Sequence, residues 1–151
     1  MDKIDQPQPH QEELFDRYFT LEEAAALIPE VRKAFTQCHK ELNELKDQIV
    51  LYKRIFTQRE QSGQPPTEAE SEALHQKWLS YEQCLDRWVQ HFLSQGILLK
   101  DLEKGLIDFP YLSQDGDLFL LCWHLGEDGI FYFHGLEEGF RGRKPIAVLP
   151  E

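Results

Sequence analysis

Nine apolar residues, Ile28, Val31, Phe35, Cys38, Leu42, Leu45, Ile49, Tyr52 and Phe56, recur at alternating steps of three and four along one stretch of the chain. That spacing is an a/d heptad seam, which keeps one narrow apolar stripe of a helix against a partner helix. A second seam follows in Leu74, Trp78, Tyr81, Leu85, Trp88 and Phe92. The segment between them, Gln61-Ser-Gly-Gln-Pro-Pro66, is short and rich in helix stop signals. Two matching seams joined by a short linker predict an antiparallel hairpin within one chain. Helices of about thirty residues would run roughly 40 Å at 1.5 Å per residue.

The ends of these helices are signalled by side chains that can satisfy free backbone groups. Thr20 with Glu23, and Thr67 with Glu70, have the spacing of a capping box, in which hydroxyl and carboxylate each take the other residue's N–H. Pro29 would remove a hydrogen bond and crowd the carbonyl of Ala25 inside a helix, but it suits the first position of a new one. A short helix Leu21–Ile28 is therefore expected, then a break, then a long helix from Pro29 to about Gln58. The second helix is expected from about Glu68 to Ser94, with Gly96 supplying the left-handed residue after it.

After Gly96 the apolar period shortens to that of strands. Residues 97–101 and 105–109 are short strand candidates, the latter stopped by Pro110. Leu118–Leu125 is a long apolar strand, Gly126-Glu-Asp-Gly129 a hairpin loop, and Ile130–His134 its partner. Residues 139–145 read as a loop and 146–149 as an edge strand. Leu118–Leu125 is apolar on both faces, so one face should cover the helices and the other needs more chain or a second subunit. The expected fold is α+β: a long heptad-packed antiparallel helical hairpin, preceded by a short helix and followed by a small, mainly antiparallel β-sheet. Residues 1–16, rich in Gln, Pro and acid, are expected to be a disordered tail. Residues 17–151 form a single domain, with the hairpin in 17–96 and the β module in 97–151.

The net charge of −11 argues against a broad interface with nucleic acid or anionic lipid, which needs a field of Lys and Arg. The acidic excess is concentrated in residues 97–140, directly before a basic tail of Arg141, Arg143 and Lys144. Neither a leader-like apolar segment nor a membrane-length apolar run is visible. Three widely spaced cysteines, Cys38, Cys84 and Cys122, form no CxxC pair and read as reduced core residues. A cytoplasmic protein is expected, with no nucleic-acid or membrane partner.

No complete catalytic motif is present, which leans against an enzyme and leaves the question open. Cys122 and His124 lie on one strand face and, with His134 on the next strand, have a spacing that zinc could accept. The reading preferred is a core thiol and an amphipathic His at the sheet edge, so neither a metal nor another cofactor is expected. His134, with Arg141, Arg143 and Asp108, supplies a titratable ring, two guanidinium groups and a carboxylate. These four residues are the candidate ligand or anion site. The preferred reading for the arginines is folding back onto the acidic 97–140 segment, and for Asp108 and Asp101 it is accepting backbone N–H groups beside turns.

Tyr18-Phe-Thr-Leu-Glu-Glu-Ala24 with Leu27-Ile-Pro-Glu-Val31 resembles the opening of the bacterial family catalogued as domain of unknown function 2203. Gly96-Ile-Leu-Leu-Lys-Asp101, Gly105-Leu-Ile-Asp-Phe-Pro110, Leu121-Cys-Trp123, Gly126-Glu127 and Gly139-Phe-Arg-Gly-Arg143 with Pro145-Ile146 resemble its close. The likeness spans Tyr18 to Ile146 and carries no established activity with it. The chain departs from the family's pattern in having His124 where relatives tend to have Arg, and Phe133 where they often have Trp.

The leading expectation is a scaffold or interaction protein that self-associates, as a dimer, through its hairpin or sheet and binds another protein. The alternative is a small-ligand or anion-binding protein, or an enzyme, using Asp108, His134, Arg141 and Arg143 on the C-terminal β module.

Overall fold

A computed structural model describes residues 14–151; the tail expected over residues 1–16 lies, up to residue 13, outside the described residues. Two helices, α1 (Leu21–Gln61) and α2 (Glu68–Ser94), are followed by strands β1 (Leu98–Asp101), β2 (Leu106–Leu112), β3 (Leu118–His124), β4 (Tyr132–His134) and β5 (Lys144–Pro145). The five strands form one antiparallel sheet in chain order. This is the α+β architecture expected from the change of period after Gly96.

Both capping boxes form. The Glu23 N–H donates to Thr20 Oγ1 and the Thr20 N–H to Glu23 Oε1, each at 3.0 Å. Thr67 and Glu70 repeat the pattern at the start of α2. At the end of α2, Gly96 takes φ +81°, and the Ile97 and Gly96 N–H groups donate to the carbonyls of Phe92 and Leu93. These are the two bonds of a Schellman stop, which only a left-handed residue allows without strain.

The expected break at Ile28–Pro29 is absent, because α1 runs continuously through Pro29 for 41 residues. The proline leaves the Ala25 carbonyl without its helical donor, but Ala25, Ala26 and Pro29 are all exposed. Water can reach that carbonyl, and the small alanines leave room for the ring, so the short helix and the long one fuse.

The described chain divides into two compact units, residues 36–91 and the remainder. In the first, the hairpin buries Cys38, Leu42, Ile49 and Cys84 along its seam. Cys84 rather than its neighbour Leu85 takes the buried position. Trp88 Nε1 donates to Glu41 at 2.6 Å. Lys53 lies over the ring of Trp78 and Lys77 over that of Tyr52. All three cysteines are free and buried, and burial pushes the Cys38 thiol up to about 11, so it is an inert core group.

In the second unit, alternation along the strands sorts side chains onto two faces. Ile107, Phe109, Leu121, Trp123 and Phe133 join Phe19, Ala24, Ile28, Val31, Phe35 and Phe92 among the buried residues. The Phe35 ring stacks on Phe92 at 4.6 Å and on Trp123 at 6.2 Å, while Phe19 meets Phe109 edge-on at 5.1 Å. Each such side chain contributes roughly 1.5–3 kcal/mol when fully buried.

Strand limits differ from expectation, β4 being only Tyr132–His134 where Ile130–His134 was expected. Strand β2 continues through Pro110 to Leu112. β1 reaches only as far as Asp108 in the pairing register, and the Pro110 carbonyl accepts the Phe19 N–H at 2.8 Å. Pro110 therefore turns its donorless side away from β3, where no ladder bond is lost. The edge strand expected at 146–149 is instead a 3₁₀ turn, Ile146–Val148, and the edge is the two-residue β5 before it. Another 3₁₀ turn, Phe140–Gly142, lies within the expected loop.

Candidate functional site

The outer face of the sheet carries Leu106, Asp108, Leu120, Cys122 and His134. Asp108 is directly opposite Cys122 on β3, and His134 is opposite Leu120. Asp108 and His134 thus approach from the two strands flanking β3. Their side chains are only 2% and 4% accessible, and His134 Nε2 lies 3.1 Å from Asp108 Oδ1. Cys122 is equally buried, and one ligand atom from each of the three lies within 4.8 Å of the others.

The other ring nitrogen of His134 is also engaged. Its Nδ1 lies 2.7 Å from the Gly135 carbonyl, which can only accept, so Nδ1 carries a hydrogen. Burial, the largest influence, pushes the His134 pKa down. Hydrogen bonds to Asp108, Cys122 and the Gly135 carbonyl, with the charge of Asp108, outweigh it and raise the group to about 10. The result is a buried imidazolium–carboxylate pair with a thiol beside it.

The Gly135 carbonyl is held by a tight turn. The Gly135 N–H donates to Glu138 Oε1 at 3.0 Å and the Glu138 N–H donates back to the Gly135 carbonyl. A Cβ on Gly135 would lie 2.6 Å from that carboxylate oxygen, so a side chain there would push the Glu138 carboxylate aside. Past this turn the chain folds over the outer face. Leu136, Gly139 and Phe140, with Leu106, Leu120 and Lys100, complete a cavity of about 170 Å³ that the trio also lines. More chain, not bare apolar surface, covers this part of the second face of β3.

The four residues singled out by sequence separate into two places. Asp108 and His134 meet, and Asp108 does not flank a turn because β2 runs through Pro110. Arg141 and Arg143 do not line the cavity. Arg141 is exposed. The Arg143 guanidinium lies between the rings of Phe140 at 3.8 Å and Tyr132 at 4.3 Å, and 3.8 Å from Glu127 Oε2. Its stacking and its ion pair hold the loop to the sheet. Asp101, in contrast, accepts the Lys104 N–H as expected of a turn residue.

His124 shares the strand face of Cys122 but stands apart from the trio. Its Nδ1 lies 3.0 Å from the Leu125 carbonyl, and Glu127 accepts its backbone N–H. Cys122 and His134 were visible in the sequence as possible partners. Asp108 was missed in that role, and its signal was the register: with β2 and β3 paired through the hairpin turn at 114–117, Asp108 falls opposite Cys122.

A helical hairpin followed by a five-stranded sheet, with a buried Asp–His–Cys centre on the sheet's outer face, defines the class of protein. The chain belongs to the family of uncharacterized conserved proteins designated DUF2203, whose model matches residues 17–146. Comparison with curated proteins and with solved structures returns no match. Among the described residues no helix is long and apolar enough to cross a membrane.

Proposed function

We propose that this is a small-ligand-binding protein of the bacterial cytoplasm whose site is the outer-face cavity of the sheet. The observation that carries this reading is the buried Asp108–His134 pair lining a pocket whose other walls include Leu106, Leu120, Leu136 and Phe140. A charged pair withdrawn from water costs several kcal/mol per ion, and an apolar pair would pack the same space without that cost. A strongly perturbed titratable group in a concave, mainly apolar site is the usual mark of a functional site. Arg141 and Arg143 do not belong to it.

The test is a thermal-shift series with small carboxylates, phosphates and divalent metal ions on the full chain and on Leu136→Trp. Leu136 is exposed, so the variant should fold while its ring fills the cavity. At least one ligand should raise the melting temperature of the native chain and lose that effect in the variant. Ligand shifts indifferent to Leu136→Trp would remove the reading.

Self-association as a dimer is a second reading, favoured by the hairpin surface. Val50, Leu51, Ile55 and Trp78 are 37–54% exposed, and Ile49, Val50, Trp78 and Tyr81 line a groove of about 220 Å³. A second copy of the hairpin is the occupant whose apolar stripe would match.

A further inference from the structure

We propose that Asp108, Cys122 and His134 form a site for one divalent transition-metal ion, zinc being the best match, with its fourth position open to the cavity. The assignment rests on reading that cavity as a binding site and names what the site holds.

The three groups converge. A catalytic Cys–His–acid relay places the nucleophile on one ring nitrogen and the acid on the other, so that a proton can pass through the ring. Here Asp108 addresses His134 Nε2, Nδ1 is occupied by the Gly135 carbonyl, and one ligand atom from each of Asp108, Cys122 and His134 lies within 4.8 Å of the others. The three groups point at one spot instead of lying along a line. Tetrahedral zinc, with bonds of 2.0–2.3 Å, separates its ligand atoms by roughly 3.3–3.6 Å. The His134–Asp108 separation is 3.1 Å, and the trio's outer limit of 4.8 Å closes with about an ångström of side-chain movement.

The ring is also supported from behind. A metal-bound His donates its other N–H to a carbonyl or carboxylate, which fixes both tautomer and orientation. Gly135 supplies that carbonyl, and its own bonds to Glu138 keep it aimed at the ring. The turn thus presents His134 with Nε2 directed at Asp108, beside Cys122.

The donor set narrows the ion. A thiolate with an imidazole is wrong for calcium or magnesium, which take oxygen ligands, and suits zinc and its neighbours in the transition series. Three protein ligands leave a coordination position, which in metal sites of this type is filled by water or a bound ligand. Leu106, Leu120, Leu136 and Phe140 give it a largely apolar surround. On binding, the ion takes the Nε2 lone pair, the Cys122 thiolate and the Asp108 carboxylate. The Nε2 proton and the thiol proton leave to solvent, while Nδ1 keeps its hydrogen toward Gly135.

The experiment uses the full chain stripped with chelator and titrated with zinc by calorimetry and with cobalt(II) by absorption. One equivalent of either ion should bind, and cobalt should show a thiolate-to-metal charge-transfer band with the visible bands of a four-coordinate site. Cys122→Ser, a change of one atom, should abolish the charge-transfer band and weaken zinc binding at least about tenfold. Asp108→Asn should weaken it by a similar factor. Absence of a bound equivalent in the native chain, a cobalt spectrum without thiolate character, or unchanged affinity in Cys122→Ser would overturn the assignment. The spectrum of the native chain decides the matter even where a variant fails to fold. If metal binding fails while organic ligand shifts remain sensitive to Leu136→Trp, only the metal assignment falls. If a metal binds at the trio and no ligand senses Leu136→Trp, the cavity reading falls instead.

Discussion

His134 holds two acceptors at once, and each nitrogen needs its hydrogen to do so. The buried ring is therefore a cation whose close counter-charge is Asp108. Removing one partner strands the other out of water. Asp108→Ala should cost about 3–5 kcal/mol in a urea titration, whereas Asp108→Leu combined with His134→Leu should recover most of that loss. If Asp108→Ala costs less than about 1 kcal/mol, the pair is not held as described. At Gly135 the expected effect is smaller. Gly135→Ala displaces the Glu138 carboxylate from the Gly135 N–H and should cost about 1 kcal/mol. Glu138→Ala should cost a similar amount, and the double variant little more than either, because both break one interaction. The centre was only half legible in the sequence for a physical reason. Residue type pairs Asp108 with His134 as ligand groups and Cys122 with His134 as metal groups, but that all three meet at one place follows only from the pairing register.

At the scale of elements, helix limits were read well because capping residues act locally, within three positions of the groups they satisfy. Glu70 combines its capping bond with a contact to Arg59 from the end of α1. Hydrogen bonds from Arg59 and from the Thr67 N–H bring its pKa down from 4.5 to about 2. A carboxyl depressed in the folded state stabilises it above the unfolded pKa and loses that contribution as pH falls through the folded one. Glu70→Gln should therefore lower the melting temperature at neutral pH, and the difference from the native chain should vanish between about pH 4.5 and pH 2. A difference that persists at pH 2 would point to another cause. Pro29 is the converse case, since whether a proline breaks a helix depends on tertiary packing that short-range pattern does not contain. Ile28, Val31 and Phe35, on both sides of it, are all buried, and one continuous helix keeps them on one face. Pro29→Ala restores the missing donor at an exposed position and should raise stability by up to about 3 kcal/mol in chemical denaturation. A destabilised variant would mean that the proline sets a bend the packing needs.

For the whole molecule, the switch of period at Gly96 foretold the division of the chain into helices and sheet, whereas the path of residues 135–145 over the outer face was hidden. That path depends on the Arg143 stack, the Glu127 pair and a turn at Glu138, all of which join positions of no fixed spacing. Association between molecules is a property of this scale too. If the exposed hairpin stripe is a dimer contact, the native chain should sediment as a dimer at micromolar concentration, and Leu51→Lys with Ile55→Lys should sediment as a monomer. A native chain that is already monomeric would sink that reading. The margins of the sheet bear on the same question. β1 is four residues long and irregular between Leu99 and Asp101, and β5 is only Lys144 and Pro145. A bulged strand on one side and a lysine–proline pair on the other are poor templates for a further strand. Neither rim invites backbone pairing by a neighbouring molecule, so the sheet is protected against seeding fibrils even though one of its strands is apolar on both faces.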